Sequence, residues 1–288
     1  EIEHVITTVI TATPWKAGDA LRVLEDERIT VGQGVPAQWA LLLAHPDFDT
    51  TDLSSLRIAG TGAATSSPEL VREMRERLGC PVIVRYASTE TSSITGSAPG
   101  DPDEVVARTV GRPQPDTEVE VVDRATGAPL PAGEIGVVRC RSRANMRRYW
   151  RDPERTRDVL DADGWITTGD LGSFDADGNL TLHGRTGEMY IRGGYNVYPP
   201  EVEAALDEHP AVERSAVVGV PDPVLGEIGV AFVVGRDVNG DELRSWCRSR
   251  LADYKAPDRV VVVDELPLTS MLKVDKRALA DRAARDDT

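Results

Sequence analysis

The sequence predicts an α/β layer, then an antiparallel β subdomain, then a small α+β unit. Three observations predict it. Helical and strand-like segments alternate between glycine and proline loops up to about residue 115. From about Thr117 the pattern changes to apolar alternation with period two, and the final hundred or so residues mix helices and strands without a fixed order.

Trp15 to Arg28 places Ala20, Leu21, Val23 and Leu24 at helical spacing, so one face can be buried. "ITVGQGVP" reads as a short strand entering a Gly and Pro turn before a helix from Ala37 to Ala44. A strand is expected around Leu56 to Ala59, followed by a glycine loop, "GTGAA", at Gly60 to Ala64. Ser67 as N-cap, Pro68 at the first helical position and Gly79 after Leu78 frame the next helix. "CPVIVRYASTE" is a buried strand ending in polar residues, and on residues alone it reads as a buried tyrosine followed by a helix start.

"TEVEVVDRATGAPLPAGEIGVVRCRS" gives two alternating strands around a turn-rich connection. "GWITTGDLGSFDADGNLTLHGRT" gives a second hairpin, with Asp175 to Asn179 carrying tight-turn residues. The remainder reads helix (Pro200 to Glu208), strand (Arg214 to Val220), strand (Val230 to Gly235), helix (Asp241 to Leu251), strand (Arg259 to Val263) and a C-terminal helix. Gly184 and Gly187 suit a flexible joint, which sets the expected domains at 1–185 and 186–288.

The 288 residues carry a formal net charge of −15, which argues against nonspecific attraction to nucleic acid or anionic lipid. Cys80, Cys140 and Cys247 lack paired spacing, so neither a disulfide framework nor a zinc site is expected, and a reducing cytoplasm fits. No apolar run approaches the roughly 20 residues of a membrane span. The opening "EIEHVITTVI" has no initiator Met and reads as a chain entered inside a domain.

Four segments carry chemistry. In "YASTE", Tyr86 can stack on a base, Thr89 can donate to a phosphate oxygen, and Glu90 can hold Mg²⁺, a hard ion that prefers oxygen ligands. "GTGAA" lets backbone approach a ligand, although a plain packing turn fits equally. "GWITTGDLGSFDADGNLTLHGR" holds Asp170, a carboxylate able to accept from both hydroxyls of a ribose, and Arg185. "PLTSMLK" near the end holds Lys273, a flexible ammonium.

Together with "GRTGEMYIRGGYNVYPPEVEAAL", these segments resemble the adenylate-forming superfamily of acyl-CoA synthetases, luciferases and peptide-synthetase adenylation domains. The resemblance runs along the chain but matches only the C-terminal part of the family's length. It implies the end of a large AMP-binding domain followed by a small mobile domain. It implies ATP/AMP, Mg²⁺ and CoA as ligands. Tyr86, Ala87, Gly62 and Ala63 would lie at the adenine, Asp170 and Arg185 at the ribose, and Gly194 at the pantetheine arm. Lys273, Thr89 and Glu90 would act in adenylation, with Glu90 on the metal, and Gly34 to Pro36 with Gly60 to Ala64 would border the acyl pocket. "NVYPPEVE" looks like carboxylate–CoA ligases.

Three residues depart from the family pattern: Ala87 for glycine, Gly187 for the acidic or lysine hinge residue, and Leu272 for the glycine before the lysine. The family's Ser/Thr/Gly-rich phosphate loop ending in Pro-Lys-Gly is absent from these residues. The resemblance therefore implies the later part of an ATP-dependent carboxylate–CoA ligase acting on a small carboxylate, weak or inactive without its N-terminal portion. The open alternatives are a noncatalytic nucleotide- or acyl-binding relative and an acyl-AMP ligase that passes the acyl group to a carrier protein.

Overall fold

A computed structural model describes residues 7–11, 14–62, 66–269 and 273–285. Backbone contacts divide the chain into two compact units: residues 1–168 with 172–182, and residues 169–171 with 183–288.

The first unit opens with helix α1 (Ala17–Asp26), strand β1 (Val31–Gly34), helix α2 (Pro36–Leu43) and strand β2 (Ile58–Gly62). Helix α3 (Pro68–Leu78), strand β3 (Val82–Ser88), strand β4 (Ser92–Gly96), helix α4 (Asp103–Arg108) and the two-residue β5 (Arg112–Pro113) follow. These strands form one sheet in the order β1-β2-β3-β4-β5. β1, β2 and β3 are parallel, as βαβ connections require, and β4 and β5 are antiparallel additions.

Helix α3 follows its local signals: the Ser67 hydroxyl accepts from Leu70 N, Pro68 stands at the first helical position, and Gly79 ends the helix at φ 66°. Its buried face, Val71, Met74 and Leu78, packs into a core with Leu21 and Trp39. Each such side chain contributes about 1.5–3 kcal/mol by leaving water. Trp39 also donates from Nε1 to Gly60 O at 3.0 Å, which joins α2 to the sheet.

The sheet corrects the expected loop. Gly60 to Gly62 belong to strand β2, with Ala59 to Gly62 in register with Val82 to Arg85. A Cβ at Gly62 would meet Arg85 O, so this glycine permits close strand approach. Nor does a helix follow Glu90: the chain turns over residues 89–91 into β4, with Ser92 at φ 58°.

Strands β6 (Thr117–Val122) and β7 (Gly136–Ser142), helix α5 (Pro153–Val159), and strands β8 (Ile166–Phe174) and β9 (Leu180–Arg185) come next. The four strands form a sheet in chain order. Val121, Val138, Cys140 and Leu180 share a buried cluster with Tyr86 and Ile94, which fastens this sheet to the first. The β8–β9 turn forms as expected, with Asp175 Oδ1 accepting from Asp177 N and Asn179 N at 2.9 and 2.8 Å.

The second unit contains strands β10 (Tyr190–Arg192) and β11 (Tyr195–Val197), helix α6 (Pro199–Asp207), and strands β12 (Val212–Asp222) and β13 (Gly226–Gly235). Helix α7 (Gly240–Arg248), strand β14 (Arg259–Val262) and helix α8 (Lys276–Arg285) complete it. Its sheet runs β11-β10-β13-β12, with β14 also pairing β13 in parallel. Alternation along β12 and β13 sends Val217, Ala231 and Val233 into one core with α6 and α7, and Val218, Val230 and Phe232 into another with α8. Among the described residues no helix is long and apolar enough to cross a membrane.

Candidate functional site

Strand β3 carries the aromatic and acidic residues to its carboxyl end. Tyr86 is buried in the cluster between the two sheets, while Ala87 and Thr89 are exposed. Glu90 sits in the turn that follows, where residues 146–149 help to hold it. Its carbonyl accepts from Met146 N at 2.6 Å, and its Oε1 accepts from the Tyr149 hydroxyl at 2.9 Å.

Sequence reasoning missed Tyr149. A separation of 59 residues left no local pattern to find it. The segment does carry a signal for the element that positions it: Asp152 caps α5 by accepting from Arg155 N, and Pro153 follows at the first helical position. Burial pushes the Tyr149 hydroxyl above the ordinary tyrosine range, and the hydrogen bond to Glu90 adds to this.

In the second unit the structure brings Asp170 and Arg185 together across strands β8 and β9. Arg185 Nε donates to Asp170 Oδ1 at 2.9 Å. The carboxylate is mostly shielded, at 14% side-chain exposure, and the guanidinium is 62% exposed. A fixed carboxylate beside an exposed guanidinium can accept from hydroxyls while the cation meets an anion. His183, two residues before Arg185, lies 6.1 Å from the Tyr198 ring, and burial lowers its pKa.

Past Arg185 a turn closes through Glu188 N and Met189 N, both donating to Arg185 O. Gly187 within it has open space around its Cα. Gly193 and Gly194, both at positive φ (56° and 88°), then make the tight turn between β10 and β11. A Cβ at Gly194 would meet nothing, and beside it Tyr195 stacks on Tyr254 with centroids 4.6 Å apart.

Lys273 is exposed, and the described residues on either side of 270–272 are tied together. Thr269 N donates to Lys273 O at 2.7 Å, Asp275 N to Pro267 O at 2.8 Å, and Leu268 bridges Val274. Asp275 then caps α8 by accepting from Ala278 N at 3.0 Å, and Lys276 pairs with Glu203 at 2.8 Å and Glu188 at 3.2 Å. Ala63 and Leu272, both singled out from the sequence, lie outside the described residues. Within each unit the candidate residues thus lie at Glu90–Tyr149 in the first, and at Asp170–Arg185, the Gly194 turn and Lys273 in the second.

A family model described as AMP-binding enzyme matches residues 5–150, and one described as AMP-binding enzyme C-terminal domain matches residues 201–273. The chain is 42% identical over 267 residues to the 3-[(3aS,4S,7aS)-7a-methyl-1,5-dioxo-octahydro-1H-inden-4-yl]propanoyl:CoA ligase of Mycobacterium tuberculosis, covering 91% of this chain and 50% of that protein. It is 37% identical over 281 residues to the indoleacetate–CoA ligase of Aromatoleum aromaticum, covering 96% and 54%. Among solved structures, the amide bond synthetase McbA of Marinactinospora thermotolerans superposes with a TM-score of 0.86 at 41% identity, over 93% of this chain and 55% of that one. ATP-bound MatB of Rhodopseudomonas palustris gives 0.84 at 33% identity, over 93% and 53%. The chain spans about half the length of the curated relatives it matches.

Proposed function

The chain belongs to the AMP-binding enzyme family, and from that premise we propose that it is the C-terminal portion of an ATP-dependent carboxylate–CoA ligase. Residues 1–185 would end the large domain and residues 186–288 would form the small one. The observation that carries the reading is the Asp170–Arg185 pair, which presents a fixed carboxylate and an exposed cation as a nucleotide's ribose and phosphate require.

In the first half-reaction a substrate carboxylate oxygen bonds to the α-phosphorus of ATP while the bond to the bridging oxygen breaks and pyrophosphate leaves. Lys273, whose carbonyl accepts from Thr269 N, would bring an ammonium to the charge developing on the reacting oxygens. In the second, the CoA sulfur bonds to the acyl carbon, AMP leaves and the thiol proton is lost. The open face at Gly194 leaves room for a slender thiol-bearing arm. The donor set at the turn after β3 is oxygen, the Glu90 carboxylate and the Thr89 hydroxyl, which fits Mg²⁺; Glu90 would hold it, and it would offset charge on the ATP phosphates. The three buried, free cysteines suit a reducing compartment, consistent with a cytoplasmic enzyme.

A second acceptor is favoured by the likeness to an amide bond synthetase: the same adenylate could pass to an amine. Carboxylate-dependent ATP–pyrophosphate exchange in the whole protein carrying this chain tests the common step, and Lys273→Ala should lower it about a hundredfold. Lack of exchange with every acyl and aryl acid tried would leave a noncatalytic nucleotide binder. Offering CoA, a carrier protein or an amine to the trapped adenylate then identifies the acceptor.

A further inference from the structure

Two of the contacts that hold Glu90 come from a single short segment, and that segment is itself braced. Tyr149 N donates to Thr156 Oγ1 at 3.0 Å, and Thr156 Oγ1 donates to Asp152 O at 2.7 Å, within the turn that caps α5. Met146 N, three residues before Tyr149, fixes the Glu90 main chain. The tyrosine hydroxyl therefore reaches Oε1 from a backbone held both by the cap of α5 and by the Glu90 main chain.

The kind of donor matters. A carboxylate has about four lone-pair directions on its two oxygens, and a donor that takes one fixes the directions of the others. A lysine or arginine would do this while offsetting the negative charge and competing with a bound cation. A neutral hydroxyl orients the group and leaves its charge intact, which is how outer hydrogen-bond partners tune metal ligands.

We propose that Tyr149 is a positioning residue for Glu90, setting the affinity of this turn for a divalent cation bound with nucleotide phosphates. The proposal rests on the reading of Glu90 as the metal-holding carboxylate. Tyr149 touches neither nucleotide nor acid in this role; it acts through Glu90 alone.

The test uses the whole protein carrying this chain and reads metal dependence in two ways. In ATP–pyrophosphate exchange titrated with Mg²⁺, Tyr149→Phe should raise the half-saturating Mg²⁺ concentration about tenfold. Maximal exchange at saturating Mg²⁺ should stay within about twofold, whereas Glu90→Gln should lower it at every concentration. Independently of turnover, Mn²⁺ binding in the presence of ATP, followed by loss of the free-ion electron paramagnetic resonance signal, should weaken about tenfold in Tyr149→Phe.

Exchange absent from the unsubstituted protein sinks the ligase reading, and the Mn²⁺ measurement then judges Tyr149 alone. An unchanged Mn²⁺ affinity in folded Tyr149→Phe overturns the proposal, as does a fall in maximal exchange with unchanged half-saturation. If Tyr149→Phe does not fold, Thr156→Val, which loosens the brace and keeps the hydroxyl, should weaken Mn²⁺ binding about fivefold, and unchanged binding overturns the proposal equally.

Discussion

Tyr190 is 1% exposed, and its hydroxyl has no hydrogen-bond partner among the described residues. A buried, unpaired hydroxyl costs about 1–3 kcal/mol of desolvation, so Tyr190→Phe should raise stability at pH 7 by about 1 kcal/mol. Burial, and next the charge of Asp258, push the Tyr190 hydroxyl far above the ordinary tyrosine range. Burial also pushes the thiols of Cys140 and Cys247 up to about 11. In the unfolded chain these groups ionise at their ordinary values, near pH 8.5 for cysteine and 10 for tyrosine. Between those values and the raised native ones the unfolded state has lost protons that the native state retains, so stability falls as pH rises. The slope is about 1.4 kcal/mol per pH unit for each such group. Urea unfolding between pH 8 and 11 should therefore show a decline that starts with the thiols and steepens above pH 10. Tyr190→Phe should reduce the later steepening, leaving the share of Tyr149, and leave the earlier decline unchanged.

The same tyrosine explains an element. Gly219 on β12 and Gly229 on β13 stand opposite each other in register, and a Cβ on either would collide with Tyr190. The paired glycines form a gap across the strands that the ring of β10 fills, which seats the short strand on the long hairpin. Gly229→Ala should cost about 1–3 kcal/mol by overpacking. Gly187→Ala, with open space around it, should stay within about 0.5 kcal/mol, and thermal unfolding of both variants checks the contrast. Elements were legible where their determinants are local. Ser67, Pro68 and Gly79 delimit α3 because caps act within one turn, and Asp175 delimits the β8–β9 turn in the same way. Strand β4 was not legible, because the turn before it has no glycine, proline or asparagine and Ser92 enters the left-handed region without a residue that favours it. The β10–β11 hairpin had its Gly193–Gly194 dipeptide in view, but strands of three residues carry too little alternation to be seen.

At the scale of the whole molecule, the hairpin that carries both Asp170 and Arg185 could be read from the sequence, and their pairing follows from it. The Glu90–Tyr149 bond could not, because it depends on how two sheets pack around the cluster of Tyr86, Val138 and Leu180. The same distinction between local and long-range contacts predicts which part of the chain folds by itself. Residues 183–288 contain a complete sheet with its two apolar faces covered, α6 and α7 on one core and α8 on the other. Lys276 joins the start of α8 to Glu188 and to Glu203 of α6, and the bidentate Arg192–Asp258 pair joins β10 to the segment before β14. Excising this span removes residues 169–171, and with them the Asp170–Arg185 pair and the bonds from Thr186 to Gly169 O; the pair, with a 62% exposed guanidinium, contributes at most about 1 kcal/mol and each bond about 1 kcal/mol. The isolated span should therefore retain about 5 kcal/mol or more of stability, as expected for a domain of this size. Urea unfolding followed by circular dichroism and by tryptophan fluorescence should give one coincident cooperative transition, since Trp246 donates to Ala205 O in the α6–α7 packing. Non-coincident transitions, or none, would mean that the second unit depends on the first for its core.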